Sequence, residues 1–373
     1  MKGGRILDEI TWKRSIARRQ RRIQRQRRFF VLVLIAAIGI AMSIWYIFFY
    51  MRTPEYALKE VQTSIEKRDS KTFARYVNLD LLTSQAYDDL TRDLFAYDAT
   101  LTPKTRVLFE KFYILVKPEL TRGTQEAILR RVDSGLWTLP DGLDILKGHQ
   151  LGIDFERFLA RTQLRNTTLV SVGSITHEGT TATADVNVRE DDTDTSFTLV
   201  VVLEEAEDGH WQVAYIKNYR NYLDTISPLV NDDIASYIDA TKPIVDEYNA
   251  TFASQKATFA SMNKTSDGRL SKKQREKIAD FLEEDVLPAL KKRQAKLDEI
   301  DVPKGAGYLA RQRQKSTEIT ISAWQHYIRG LREDKPREFD TAETLMKQEL
   351  AIDLRVDDII HHTAVSKNIP NPP

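Results

Sequence analysis

The chain has 373 residues, a formal net charge of +1 and no cysteine. Its length allows two or three domains, and the lack of cysteine excludes disulfides, thiolate catalysis and cysteine-ligated metals. The small net charge hides an asymmetry: residues 1–28 hold eleven Lys or Arg against two Asp or Glu, residues 29–50 hold no charge, and residues 51–373 therefore carry −8. The acidic main part of the chain argues against nucleic-acid binding there.

The first predicted element is a membrane-spanning helix over Phe29–Tyr50. Only Gly39 and Ser43 among its 22 residues are not strongly apolar. A helix of this length spans about 33 Å, against about 30 Å for the hydrocarbon core of a bilayer. Trp45 and Tyr46 lie near its far end, where aromatic rings favour the membrane interface. No small-residue cleavage site follows, so we interpret the segment as an uncleaved signal anchor.

The distribution of cations predicts the orientation of this helix. Eleven cations precede it, whereas residues 51–71 hold five that are interleaved with acids. The positive-inside rule therefore places the N-terminus in the cytoplasm and residues 51–373 outside the plasma (inner) membrane of a bacterium. The basic tail, 1–28, is expected to fix this topology and to contact anionic lipid headgroups. A cytoplasmic partner and nucleic-acid binding by the tail are the alternatives.

Helices are predicted to follow the anchor. Thr53-Pro54-Glu55 is typical of a helix start, with a capping residue, a proline at the first position and an acid in the first turn. Asp69-Ser70 is expected to end this helix and to begin the next one. Residues 80–165 are predicted to be mostly helical. The prolines expected to interrupt this region are Pro103, Pro118 and Pro140.

The apolar pattern changes to a period of two at about Thr168. Ala182, Val186 and Val188 alternate with polar residues, and the same alternation recurs over 197–203. Asp208-Gly209 is a hairpin turn signal, and Trp211, Val213 and Tyr215 form the returning strand. We therefore expect three or four antiparallel strands from about 168 to 218, with one face packed on the preceding helices.

Two stretches resemble a known kind of domain. "YALKEVQTSIEKRDSKTFARYVNLDLL" (Tyr56–Leu82) looks like the opening of a bacterial family of membrane-anchored or secreted domains of unknown function. "EDGHWQVAYIKNY" is similar to the last hairpin of cystatin-like and nuclear transport factor two-like domains. The resemblance covers about 56–222 and implies a cone-shaped α+β fold with a concave sheet. We expect one such domain over 53–222, with a helical insert at about 85–160.

The apolar period becomes helical again from Pro228 onward. The residues of a seam with seven-residue spacing are Ile238, Val245, Phe252 and Phe259. A second helix is predicted over Ser271–Ile300 with a kink at Pro288, and two more follow the loop Asp301–Gly307. Together they predict an all-α antiparallel bundle over 228–363, loosely similar to helical domains of bacterial surface lipoproteins. The tail, 364–373, is expected to be disordered.

The loop Asn263–Gln274 partly resembles a calcium-binding EF-hand loop. Gly268 stands where that loop turns sharply, and Asp267 is a plausible ligand. The last position is Gln274, which cannot supply a bidentate carboxylate, and the loop holds four cations. A turn followed by a capping box, Ser271-x-x-Gln274, is therefore the favoured interpretation, and no metal is expected.

No other motif indicates chemistry. The six histidines show no H-E-x-x-H spacing, and the adjacent pair His361-His362 is a poor chelate. The acidic runs 190–194 and 204–208 are interpreted as solvated hairpin loops. Enzymes with the cone-shaped fold carry a carboxylate or tyrosine inside the sheet, which nominates Asp185 and Tyr215. We expect Asp185 to face solvent and Tyr215 to lie in the core, so no catalytic, cofactor or metal residue is assigned.

These observations predict a single-pass membrane protein whose outer part binds or scaffolds other components of the cell envelope. We expect it not to be an enzyme, to need no cofactor, to bind no nucleic acid and to have an envelope protein as partner. The alternative is a small-molecule-binding or catalytic cone domain, which needs a large apolar pocket with a few converging polar groups.

Overall fold

A computed structural model describes residues 27, 29–46, 48–92, 102–137, 155–264 and 270–366. Within these residues the chain is mixed α+β, mostly helical with one four-stranded antiparallel sheet. The predicted α+β class and the predicted sheet are therefore confirmed. Nearly all of the predicted basic tail and the residues after 366 lie outside the described residues.

The N-terminal helix α1 (Phe29–Arg52) is long and apolar enough to cross a membrane. Its large apolar side chains are exposed, such as Phe30 at 72% and Leu32 at 65%. An apolar helix of spanning length was predicted here, and the structure confirms its length and composition.

Among the described residues, five α-helices lie between α1 and the sheet. Their bounds are α2 (Pro54–Lys67), α3 (Ser70–Tyr76), α4 (Leu79–Thr91), α5 (Pro103–Ser134) and α6 (Phe155–Arg161). The two predicted helix starts are confirmed, because Thr53 Oγ1 accepts the backbone N–H of Tyr56 and Asp69 Oδ1 accepts that of Thr72.

The prolines of α5 behave differently from each other. Pro103 stands at the first helical position, where its missing N–H removes no helical hydrogen bond. Pro118 lies inside the helix, so the predicted interruption there is wrong. An internal proline removes one hydrogen bond and bends a helix, but packing can hold both halves in place. Leu120 and Ala127, which follow it, are buried.

The sheet has the strand order β1-β2-β3-β4. Its strands are β1 (Thr167–Glu178), β2 (Thr181–Glu190), β3 (Thr195–Glu205) and β4 (Trp211–Ile216). The predicted hairpin turn joins β3 to β4, with Gly209 at φ +79° and the N–H of Ala206 donating to the carbonyl of His210 at 2.8 Å. The connection between α3 and α4 lies against the edge strand β4, where the N–H of Asn78 donates to the carbonyl of Val213.

The C-terminal region is helical. Its elements are α7 (Tyr219–Met262), α8 (Lys272–Phe281), α9 (Leu287–Asp298), α10 (Gly307–Glu333) and α11 (Pro336–Ser366). A π-helical segment, Leu282–Val286, joins α8 to α9 at the place where a kink was predicted. Pro288 cannot donate a backbone hydrogen bond and crowds the preceding turn, which the wider π turn accommodates.

Helix α7 connects the sheet to the C-terminal helices. It runs without a break through Pro228 and Pro243. The predicted boundary between 222 and 228 therefore lies inside this helix. One hydrophobic core continues across it, because Tyr222 and Ile234 of α7 share that core with Leu203 of β3 and Ile359 of α11.

Candidate functional site

A cleft of about 620 Å³ lies among the C-terminal helices. Its walls are formed by α7, by the π segment with α9, by α10 and by α11. Its lining residues are Val245, Asn249, Phe252, Gln255, Lys256 and Phe259, then Leu282, Val286, Leu290 and Arg293, then Arg313, Ser316, Thr317, Thr320 and Trp324, and finally Glu349, Asp353, Val356, Asp357 and Ile360. Such a volume is within the range of small-molecule sites, about 300–1,000 Å³.

Helical periodicity explains why these residues share one space. On α10 the lining positions Arg313, Thr317, Thr320 and Trp324 recur every three or four residues, which places them along one helix face. The positions on α11 recur in the same way. The seam predicted on α7 supplies the apolar wall, since its residues Val245, Phe252 and Phe259 line the cleft.

Arg313 is 8% exposed and has only neutral partners. Its Nη1 donates to Thr241 Oγ1 at 2.8 Å, and its guanidinium carbon lies 5.4 Å from the centroid of the Tyr237 ring. Burial lowers the pKa of Arg313, because desolvation disfavours the charged form. Arginine stays protonated in proteins, so a full positive charge remains at the cleft wall.

Arg293 extends from α9 toward the same cleft. Its guanidinium carbon lies 5.8 Å from the centroid of the Phe252 ring, and its buried Nε has no hydrogen-bond partner. Burial lowers its pKa most, the positive charge of Arg313 lowers it further, and the negative charge of Asp353 partly offsets both. Over the part of the chain that the structure describes, neither arginine forms a salt bridge. Neither arginine of the cleft is therefore ion-paired, although the negative charge of Asp353 acts on Arg293.

Two carboxyl groups of α11, those of Glu349 and Asp353, line the cleft and interact with each other. Ser316 Oγ donates to Asp353 Oδ1 at 2.8 Å. Burial, followed by the negative charge of Asp353, raises the pKa of Glu349 to about 7. The pair therefore retains one proton until the pH approaches neutrality, which explains why two acids one helical turn apart are tolerated here.

The two strand residues nominated for catalysis lie away from this cleft. Asp185 Oδ2 accepts a hydrogen bond from Ser174 Oγ at 2.6 Å, and Tyr215 is half-buried opposite Val202. A second cavity, between α4, α5, α6 and the end of β4, measures about 80 Å³ and is lined by residues such as Leu82 and Tyr219. It is too small for a drug-sized ligand.

Three of the described histidines each contact a different partner. His177 Nε2 lies 3.3 Å from Glu55 Oε1, His210 Nε2 lies 3.0 Å from the carbonyl oxygen of Arg75, and His326 Nδ1 lies 2.7 Å from Glu338 Oε2. Across the described ranges, no group of three His, Cys, Asp or Glu side chains is arranged to hold a metal ion. His149 lies outside those ranges.

The capping box predicted in the loop Asn263–Gln274 is confirmed. Ser271 Oγ accepts the backbone N–H of Gln274, and the Gln274 side chain accepts the N–H of Ser271 at 3.0 Å. Both proposed calcium-loop positions, Asp267 and Gly268, lie outside the described residues.

The acidic run 190–194 is not wholly a solvated loop. Glu190 is fully buried, so that interpretation is wrong for this residue. Its carboxylate accepts the backbone N–H of Thr193 at 2.6 Å and the Thr193 hydroxyl at 2.7 Å, which closes the turn between β2 and β3. A carboxylate can be buried when such donors replace its water.

The chain matches no protein-family profile, no curated protein and no solved structure. The resemblance to cystatin-like domains therefore remains a proposal. The cleft was not predicted from the sequence, because its charged residues stand alone at ordinary helix positions. Only the apolar seam of α7 pointed toward its location.

Proposed function

We propose that this chain is a single-pass membrane protein whose outer part, 51–373, binds a small molecule in the cleft and catalyses no reaction. The N-terminus lies in the cytoplasm, and the outer part lies outside the inner membrane. The observation that carries the proposed binding is the cleft of about 620 Å³ with two arginines that form no salt bridge within the described residues. A buried or half-buried charge without a partner is costly, so it favours a bound counter-charge.

The length and composition of α1 support the proposed anchor. Its orientation rests on the positive-inside rule applied to the tail. We also propose that the helices and sheet before residue 222 form the cone-shaped fold and that α7 to α11 form the bundle. The antiparallel order of the four strands and the extensive packing of α10 on α11 support these assignments.

The topology is tested with the full chain in a bacterial inner membrane. Reporters active only in the cytoplasm or only outside it are fused in turn after residue 373. The expected result is activity of the outside reporter alone. A cytoplasmic C-terminus would contradict the proposal.

Binding in the cleft is tested with a photo-crosslinking amino acid at Asn249, an exposed residue that lines the cleft. The same amino acid at the exposed Lys291 is the matched control. Full-length protein is irradiated in membranes, and adducts are identified by mass spectrometry. A small-molecule adduct at Asn249 alone supports the proposal, whereas equal labelling at both positions overturns it.

A second candidate function is assembly with another envelope protein. Helix α5 favours it, because Leu108, Ile114 and Leu115 are 67%, 73% and 77% exposed. Exposed apolar patches often mark protein–protein contacts. The photo-crosslinking amino acid is also placed at Leu115. Capture of one specific membrane protein from position 115, with no adduct from position 249, would favour this function over the first.

A further inference from the structure

We infer that the ligand of the cleft is an organic anion with an apolar or aromatic body, held at its negative group by Arg293 and Arg313. The inference rests on the proposed function of the cleft and adds the chemical class of the ligand.

The first step is that neither arginine forms a salt bridge, although the charge of Asp353 reaches Arg293. The partners of Arg313 are a hydroxyl and a tyrosine ring, and the Arg293 guanidinium packs on Phe252. Each guanidinium carries five N–H donors, of which Arg293 leaves a buried one unused. Carboxylates and phosphates are the groups whose geometry matches such donors, often with two parallel hydrogen bonds.

The second step is that the carboxyl groups in the cleft are already engaged. Asp353 accepts a hydrogen bond from Ser316, and its charge and hydrogen bond raise the pKa of Glu349. These contacts hold the two acids without a hydrogen bond to either guanidinium. The N–H donors of Arg293 and Arg313 can therefore still bind an anion from outside the chain.

The third step concerns the rest of the ligand. Aromatic rings line the cleft from two helices: Phe252 and Phe259 of α7 and Trp324 of α10, with the rings of Phe259 and Trp324 5.7 Å apart. Burying an aromatic or aliphatic group among them is favourable by about 25 cal/mol per Å² of apolar surface. A small inorganic anion would leave this surface unused.

The fourth step is a dependence on pH. Glu349 lines the same cleft, and its ionisation near pH 7 adds a negative charge there. The other charged groups of the lining are Lys256, Arg293, Arg313, Asp353 and Asp357. The affinity for an anion is therefore expected to fall as the pH rises through 7.

The test uses three probes that share a phenyl ring and a four-carbon chain and differ in the charge of the end group. They are 4-phenylbutyrate (negative), 4-phenylbutanamide (neutral) and 4-phenylbutylamine (positive). Binding to the full chain in lipid nanodiscs is measured by calorimetry, with empty nanodiscs as the blank. Arg293→Gln removes one cation, and Lys292→Gln is the matched control at an exposed neighbouring position. Thr320→Phe fills the cleft, and Thr344→Phe makes the same change on an exposed helix face.

We expect the carboxylate to bind about tenfold or more tightly than the amide, and Arg293→Gln to abolish that preference while Lys292→Gln keeps it. Thr320→Phe should prevent binding of all probes and Thr344→Phe should not. If the three probes bind with equal affinity and Thr320→Phe abolishes their binding, the cleft is a binding site but the anion inference is wrong. No binding of the carboxylate at millimolar concentration would also overturn it, while the crosslinking from Asn249 decides separately whether the cleft binds anything.

Discussion

At the scale of single residues, the raised pKa of Glu349 should make the free energy of unfolding depend on pH. The pKa of Glu349 is raised to about 7 in the folded chain from an ordinary value of 4.5. Between these values the folded state holds a proton that the unfolded state has released. The free energy of unfolding therefore decreases as the pH rises from about 4.5 to about 7, and the full cost is present above pH 7.

Glu349→Gln removes this cost. We expect the variant to be more stable than the unmodified chain at pH 8, by about 1–3 kcal/mol, and nearly equal to it at pH 4.5. Chemical unfolding of the C-terminal helices at both pH values measures the difference. Glu343→Gln is the control, because Glu343 is exposed on the same helix and pairs with Lys347. The same stability gain at both pH values would contradict the explanation.

Gly305 is required by close packing between the α9–α10 connection and α7. A Cβ atom at this position would lie 3.0 Å from the Asp233 side chain and 3.1 Å from the Val230 Cα. Gly305→Ala should therefore lower the free energy of unfolding by about 1–3 kcal/mol. Gly307→Ala is the matched control, since its Cβ meets only the flexible end of Arg311 and alanine favours a helix. If the two variants have the same free energy of unfolding, the close contact between Gly305 and Asp233 does not limit the size of this residue.

At the scale of helices and strands, local chemistry explains most of what the sequence predicts. The starts of α2, α3 and α8 follow from short side chains that accept backbone N–H groups within three residues. The β3–β4 hairpin follows from Asp208-Gly209 in the same way. Pro118 shows the limit of such reasoning, because packing after the proline maintains α5, and that packing involves residues distant in sequence.

The cap of α8 provides a test at this scale. Ser271→Ala removes the side chain that accepts the N–H of Gln274 and should destabilise the helix by about 1 kcal/mol. Hydrogen exchange of the α8 amides should then become about fivefold faster. Ser261→Ala is the control, because Ser261 bonds only to a carbonyl three residues earlier in α7. Unchanged exchange in Ser271→Ala would show that tertiary packing alone holds the start of α8.

At the scale of the whole molecule, the cleft shows what the sequence could not predict. Arg293, Arg313 and Glu349 stand on three helices, and each alone has the pattern of an ordinary surface charge. Only the packing of α10 on α11 and of α9 on α7 brings them to one space. Glu190 is a second case, since its burial depends on a turn that its own carboxylate closes.

The same scale includes the attachment of α1 to the rest of the chain. A single residue, Thr53, separates α1 from α2. The ring of Tyr50 lies 5.3 Å from that of Tyr46 and 5.5 Å from that of Tyr56, measured between centroids. Trp211 Nε1 of β4 donates to the carbonyl of Arg52 at 3.2 Å. The Tyr50–Tyr56 contact and the Trp211 hydrogen bond therefore connect α1 directly to α2 and to the sheet.

Tyr50→Ala should loosen that connection. Loss of the Tyr50–Tyr56 ring contact across the junction, worth about 0.5–1.5 kcal/mol beyond burial, predicts roughly fivefold faster hydrogen exchange for amides 55–58 at the start of α2. The measurement uses full-length protein in nanodiscs. Phe49→Ala is the matched control, because Phe49 is 64% exposed on the same helix. Equal exchange in the two variants would mean that the hydrogen bond from Trp211 holds the junction without the aromatic contacts, and Trp211→Phe should then produce the increase instead.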